Sequence, residues 1–199
     1  MSVRAKCLKG RAHIFGDQSA FYEDVKRSRV FALLTVFVLG VACFLPPIHQ
    51  DPLYHHFANH AKHLGIGNFW NVVSNLAFLI VAALAWPRRD YMNKPWQRRC
   101  FRILVLGISF VSIGSTYYHW QPSEASLFGD RLPMTIVFMC ILTMTIGERV
   151  DGQLGETLLW PLLLIGASSA VYWRLSGDLR PYAVVQFYPL IAIPLMLIF

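Results

Sequence analysis

The chain has 199 residues, of which 55% are hydrophobic and only 15% charged, against about 25% charged in a soluble domain. With a mean hydropathy of +0.45, a single soluble core of this size could not hide so much apolar surface, and a lipid bilayer is the solvent that fits. The net charge of +7 lies beside apolar segments, at Arg4, Lys6, Lys9, Arg11, Lys26, Arg27 and Arg29 and between Arg88 and Arg102. That is the pattern of loops facing anionic lipid, and it excludes a basic nucleic-acid-binding face.

Six apolar segments follow in chain order: Val30–Leu45, Phe69–Trp86, Ile103–His119, Leu132–Ile146, Leu158–Trp173 and Tyr182–Phe199. Their unbroken apolar runs predict helices, since barrel strands would alternate. The expected fold class is all-α, a polytopic transmembrane bundle with six helices in this chain. Residues 1–48 form a basic cytoplasmic N-terminus and an extra helix, and residues 49–199 form the core. The first segment follows a charged leader, and Pro46-Pro47 succeeds it without a small-residue cleavage pattern; it reads as an uncleaved anchor.

Arg88, Arg89, Lys94, Arg98, Arg99 and Arg102 crowd one loop, whereas His49–Asn68 holds only Lys62. The positive-inside rule therefore places the N-terminus and the Arg88–Arg102 loop in the cytoplasm, with His49–Asn68 and Trp120–Arg131 outside. The chain stops at Phe199 inside an apolar run, the ending expected of a truncated product. Cys43 and Cys140 lie in apolar runs, Cys7 and Cys100 in basic stretches, and no CxxC occurs. Neither a disulfide nor a thiolate zinc site is expected.

Polar groups in hydrocarbon are costly and mark candidate sites. On the second segment Asn71, Ser74 and Asn75 recur at i, i+3 and i+4, and on the third Ser112, Ser115 and His119 recur at i, i+3 and i+7. Each set falls on one side of its helix. For the second segment, hydrogen bonding between helices explains the pattern as simply as a functional face. Ser115 and His119 are one turn apart and face the same way. Asp130 opens the next apolar segment, and a short loop folds it back toward His119. Imidazole binds zinc, a nearby carboxylate orients it or takes a proton, and a serine hydroxyl supports an oxyanion. Taken singly, Asp130 with Pro133 is also a good helix N-cap, and one histidine does not hold zinc.

A second histidine group, His55, His56, His60 and His63, precedes the second segment. On a helix, His56, His60 and His63 would share a face suited to a metal. The simpler reading is an amphipathic surface segment with solvated imidazoles.

Ser115-x-x-x-His119 followed by Asp130-Arg131-Leu132-Pro133-Met134, with Phe69-Trp70-Asn71-Val72-Val73-Ser74-Asn75 on the preceding helix, resembles the signatures of the alkaline ceramidases. These belong to a wider superfamily with the adiponectin-type receptors, and the chain looks like a bacterial member from about Asp51 to Phe199. The resemblance implies a seven-helix core, of which this chain would carry five helices after its anchor helix. It implies one zinc ion bound by His119, with Ser115 and Asp130 lining the same site as catalytic groups. The implied reaction is hydrolysis of the amide of ceramide or a related N-acyl membrane lipid to a fatty acid and a sphingoid base. The setting is a bacterial inner membrane, the site toward the periplasm. Two departures stand out. No HxxxH follows His119, so the family's other two zinc ligands are absent. Asn68 and the single acid Asp51 replace the acidic residues that bind calcium in animal members, so calcium is not expected. A non-catalytic receptor, sensor or inactive remnant of the superfamily is the alternative. Internal duplication, the mark of many transporters, is not seen in the sequence.

Overall fold

The computed structural model describes residues 29–58 and 61–198. Its helices run in chain order as α1 (Arg29–Phe44), a short 3-10 turn at Pro52–His55, α2 (Phe69–Ser74), α3 (Leu76–Ala85), α4 (Pro95–Trp120), α5 (Glu124–Arg149), α6 (Gly152–Ser176) and α7 (Arg180–Ile198). Among the described residues there is no strand, only an isolated bridge between His63 and Ile66. Five spans are long and apolar enough to cross a membrane, with α2, α3 and the following 3-10 turn counting as one, Phe69–Tyr91; α1 is shorter. The chain is an all-α membrane bundle.

The helices are longer than the apolar runs because their ends are set by caps. Pro95 takes the first position of α4, where its missing N–H and fixed φ suit a helix start, and the basic stretch to Arg102 is helical. In α5 the Ser123 hydroxyl accepts from the Ser126 amide at 3.1 Å, which starts the helix at Glu124. In α6 the Asp151 carboxylate accepts from the Leu154 amide at 2.7 Å. At 26 residues, α4 and α5 each reach about 39 Å, more than the ~30 Å hydrocarbon layer.

The second span is broken. Asn75 falls between α2 and α3, and α3 leaves Leu76, Phe78, Leu79, Ile80, Val81 and Leu84 exposed, with only Ala82 buried. A helix apolar all round and bare outside suits lipid. By contrast α5 is the central helix, in contact with α4, α6 and α7. The core has two tiers. One is aliphatic and sulfur-rich, including Cys100, Met139, Cys140, Leu142, Ile146, Leu159 and Leu163. The other, at the Trp120–Ser123 end, is aromatic, with Tyr118, Trp173 and Tyr182 around Leu127 and Ala170. Helix α1 packs on α7, where Thr35 and Tyr188 hydroxyls lie 2.7 Å apart and Phe31 meets Tyr188 edge-on.

Small residues let these helices touch. A Cβ on Gly114 of α4 would fall 2.3 Å from the Gly129 carbonyl oxygen of α5, and one on Gly155 would fall 2.5 Å from Gly147 Cα. The Trp96 indole, 2% exposed, lies against the Gly147–Gly155 contact. Close backbone approach through small residues is how membrane helices pack tightly.

Candidate functional site

The Gly114–Gly129 contact carries the next residue of each helix with it. Ser115 and Asp130 are both buried, with the Ser115 side chain beside the Asp130 carboxyl group. Pro133 contributes: having no N–H, it leaves the Gly129 carbonyl without its helical donor, and that oxygen is the one facing Gly114. Asp130 is not at the helix start, as its sequence position implied. Ser123 caps α5, which places Asp130 about 10 Å along the helix with its carboxyl turned into the bundle.

His119 stands one turn beyond Ser115 on α4. Its ring lies 4.6 Å from the Phe57 ring centroid, and its carbonyl accepts from the Asn68 side-chain amide at 2.9 Å. That bond satisfies one of the carbonyls left open at a helix end, and Asn68 itself adopts φ 51, a left-handed conformation asparagine tolerates. Two atoms here are buried with no hydrogen-bond partner among the described residues: His119 Nδ1 and Asp130 Oδ1.

The segment from Ile48 to Phe57 straps the same end of the bundle. The Leu179 amide donates to the Ile48 carbonyl at 2.8 Å, Arg131 Nη2 donates to Gln50 Oε1 at 2.7 Å, and His55 bridges Tyr118 Oη at 3.2 Å and Glu124 Oε1 at 3.0 Å. Asp178, in the α6–α7 turn, is gripped by the Arg180 guanidinium, with Nη2 to Oδ2 at 2.7 Å. That hydrogen bonding holds its carboxyl down at about 2.

A family model described as Ceramidase matches residues 57–198, well over half of the chain. The chain belongs to the ceramidase family. Neither the curated proteins nor the solved structures contain a match to it. For this ceramidase-family chain the expected pieces are therefore placed as follows. Ser115 and Asp130 come together. His119 lies on the same helix, one turn further toward the strap.

The second span behaves differently from a face directed at the site. The Asn71 carbonyl collects the Ser74 hydroxyl at 3.0 Å and the Asn75 side-chain amide at 2.8 Å, so both side chains mend the helix around its break. Ser74 is exposed. Asn75 is buried, and its carbonyl accepts from Ser112 Oγ at 2.7 Å, a bond between helices. The histidine group also departs from the helical reading. The 3-10 turn ends at His55, His56 is extended, and His63 pairs with Ile66 in a bridge; Asp51 and Pro52 start the turn and the backbone then leaves it. His60 lies outside the described residues.

Zinc, which the family resemblance implies, finds a partial donor set. His119 Nδ1 and Asp130 Oδ1 are buried and unpartnered, which suits a divalent cation better than a closed hydrogen-bond network. Among the described residues, no three or more His, Cys, Asp or Glu are grouped to hold a metal. Cys100 and Cys140 are buried, with Cys100 Sγ 3.5 Å from the Cys140 carbonyl, and no disulfide forms among the described residues.

Arg131 follows Asp130 on α5. Only 6% exposed, it stacks over Trp173, Tyr182 and Tyr54 with its guanidinium carbon 4.3, 4.9 and 5.3 Å from their ring centroids.

Proposed function

We propose that this chain is a zinc-dependent hydrolase working within the membrane, cleaving the N-acyl bond of ceramide or a related lipid to give a fatty acid and a sphingoid base. The observation that carries the reading is the meeting of Ser115 and Asp130 at the α4–α5 contact, with an unpartnered carboxylate oxygen in a membrane-spanning helix of a ceramidase-family chain. A buried, under-bonded carboxylate is costly as structure and useful as a proton acceptor.

His119 would hold the zinc, other ligands coming from outside the described residues, and bound zinc would supply Lewis acidity toward the carbonyl and toward water. Asp130 takes a proton from the water that attacks the amide carbonyl, and it returns that proton to the nitrogen as the C–N bond breaks. Ser115 orients the ionised carboxylate through its hydroxyl. Once Asp130 is protonated it no longer needs that donor, and the Ser115 hydrogen is free for the oxygen of the tetrahedral intermediate. Phe57 packs on the His119 ring and excludes water from the strap side. The basic Arg88–Arg102 stretch lies at the opposite end of α4, so the positive-inside rule puts the site toward the outer face of a bacterial inner membrane.

The test is release of fatty acid from an N-acyl sphingoid base in detergent by the purified full-length protein, alongside metal analysis. The reading predicts amide turnover, about one zinc per chain, and loss of that zinc in His119→Ala. A folded protein with no amide turnover and no zinc would support a receptor-like member of the family instead.

A further inference from the structure

Arg131 presents an unmet hydrogen-bond donor beside the candidate site. Nη2 is taken by Gln50, whereas Nη1 is buried with no acceptor among the described residues. The three aromatic faces hold the guanidinium plane and stabilise its charge, but a ring face is a poor substitute for a full acceptor. A donor left unmet on a buried cation is costly, and this one adjoins Asp130, whose Oδ1 is also unmet.

The depth of Arg131 narrows what could meet it. It lies about 10 Å into α5, level with Trp173 near the end of α6 and Tyr182 near the start of α7. Tryptophan, tyrosine and a covering strap mark the interfacial layer of a membrane protein, where the polar ends of single-chain lipids lie. Gln50, half-buried on the strap, places one neutral oxygen on the guanidinium. A carboxylate has two oxygens in the plane and at the spacing to which a guanidinium fork donates paired hydrogen bonds.

We propose that Arg131 is a carboxylate-binding residue, docking the ionised head of a fatty acid, with Gln50 as the stand-in oxygen that the ligand displaces. Naming the ligand a fatty acid rests on the proposed amide hydrolysis, since that reaction leaves a fatty acid one residue away at Asp130. The binding itself does not require turnover.

The test is isothermal titration of the purified full-length protein in dodecyl maltoside micelles with dodecanoate, dodecanol and dodecyl phosphate. The wild type is expected to bind dodecanoate about tenfold or more tightly than dodecanol, the size of one charge-assisted hydrogen bond, and more tightly than dodecyl phosphate. In Arg131→Gln the preference for acid over alcohol should fall to about one, tested on protein whose melting is still cooperative. Gln50→Ala, a change on the strap, should keep dodecanoate binding or strengthen it a few fold, because the competing oxygen is gone. This variant and the wild-type comparison decide the matter if Arg131→Gln does not fold. Equal binding of acid and alcohol by the wild type, an unchanged preference in Arg131→Gln, or loss of dodecanoate binding in Gln50→Ala overturns the proposal. Tighter binding of dodecyl phosphate also overturns it, in favour of a phosphate headgroup site. Acid selectivity without amide turnover would leave this subsite standing while the hydrolase reading falls; turnover without selectivity would do the reverse.

Discussion

Gly114 of α4 meets Gly129 of α5 so closely that a methyl group on Gly114 would sit 2.3 Å from the Gly129 carbonyl oxygen. That approach brings the neighbouring residues, Ser115 and Asp130, side by side and buried. The spacing of two helices thus sets the geometry of the candidate chemistry.

Gly114→Ala should therefore push α4 from α5, costing about 1–3 kcal/mol as overpacking does, and it should separate Ser115 from Asp130. Gly129→Ala is the control, since a Cβ there meets nothing within 4 Å. Thermal melting in detergent should show a lower midpoint for Gly114→Ala and little change for Gly129→Ala.

The far end of α4 makes a similar demand. Gly155 packs on the backbone of Gly147, with Trp96 against both. Gly155→Ala should destabilise by about 1–3 kcal/mol, and Trp96→Ala, which removes a buried indole, by about 3–5 kcal/mol. Denaturation midpoints of the two variants in the same micelles check the order.

Acid should loosen the strap at one identifiable place. The Asp178 carboxyl, held by Arg180, titrates at about 2 in the fold, against about 3.9 in an unfolded chain. The depressed value means that its stabilisation is complete above about pH 4 and is lost as the pH falls toward 2. Melting midpoints followed between pH 5 and pH 2 should drop for the wild type. In Asp178→Asn the midpoint should be lower at neutral pH, and the portion of the acid drop due to this carboxyl should vanish.

The bundle was legible in the sequence because apolar runs long enough to span a membrane leave few alternatives to helices. The ends were not. Ile103 and Leu132 looked like helix starts because hydropathy begins there, whereas the real starts follow Pro95 and the Ser123 cap, features of polar stretches. That error misplaced Asp130 at a helix cap when it lies well inside α5. Ser115 and His119 were legible from spacing along one helix, which is a local property. The role of Arg131 depends on Trp173 and Tyr182 from two later helices, and no periodicity in the chain encodes that meeting. The shared helical face weighed as the alternative for the histidine group does not form at His56 or His63, which are not helical. At the break the Ser74 and Asn75 side chains likewise bond back to the Asn71 carbonyl of their own span.

The central claim is that Asp130 and His119 carry amide hydrolysis in this ceramidase-family chain, and steady-state kinetics on an N-acyl sphingoid base in detergent test it most directly. Asp130→Asn and His119→Ala, each compared with the wild type at matched melting midpoint, should each lower kcat by about 100-fold or more, the scale of a lost proton-transfer group. Wild-type turnover that persists at near its full rate in both folded variants would contradict the account.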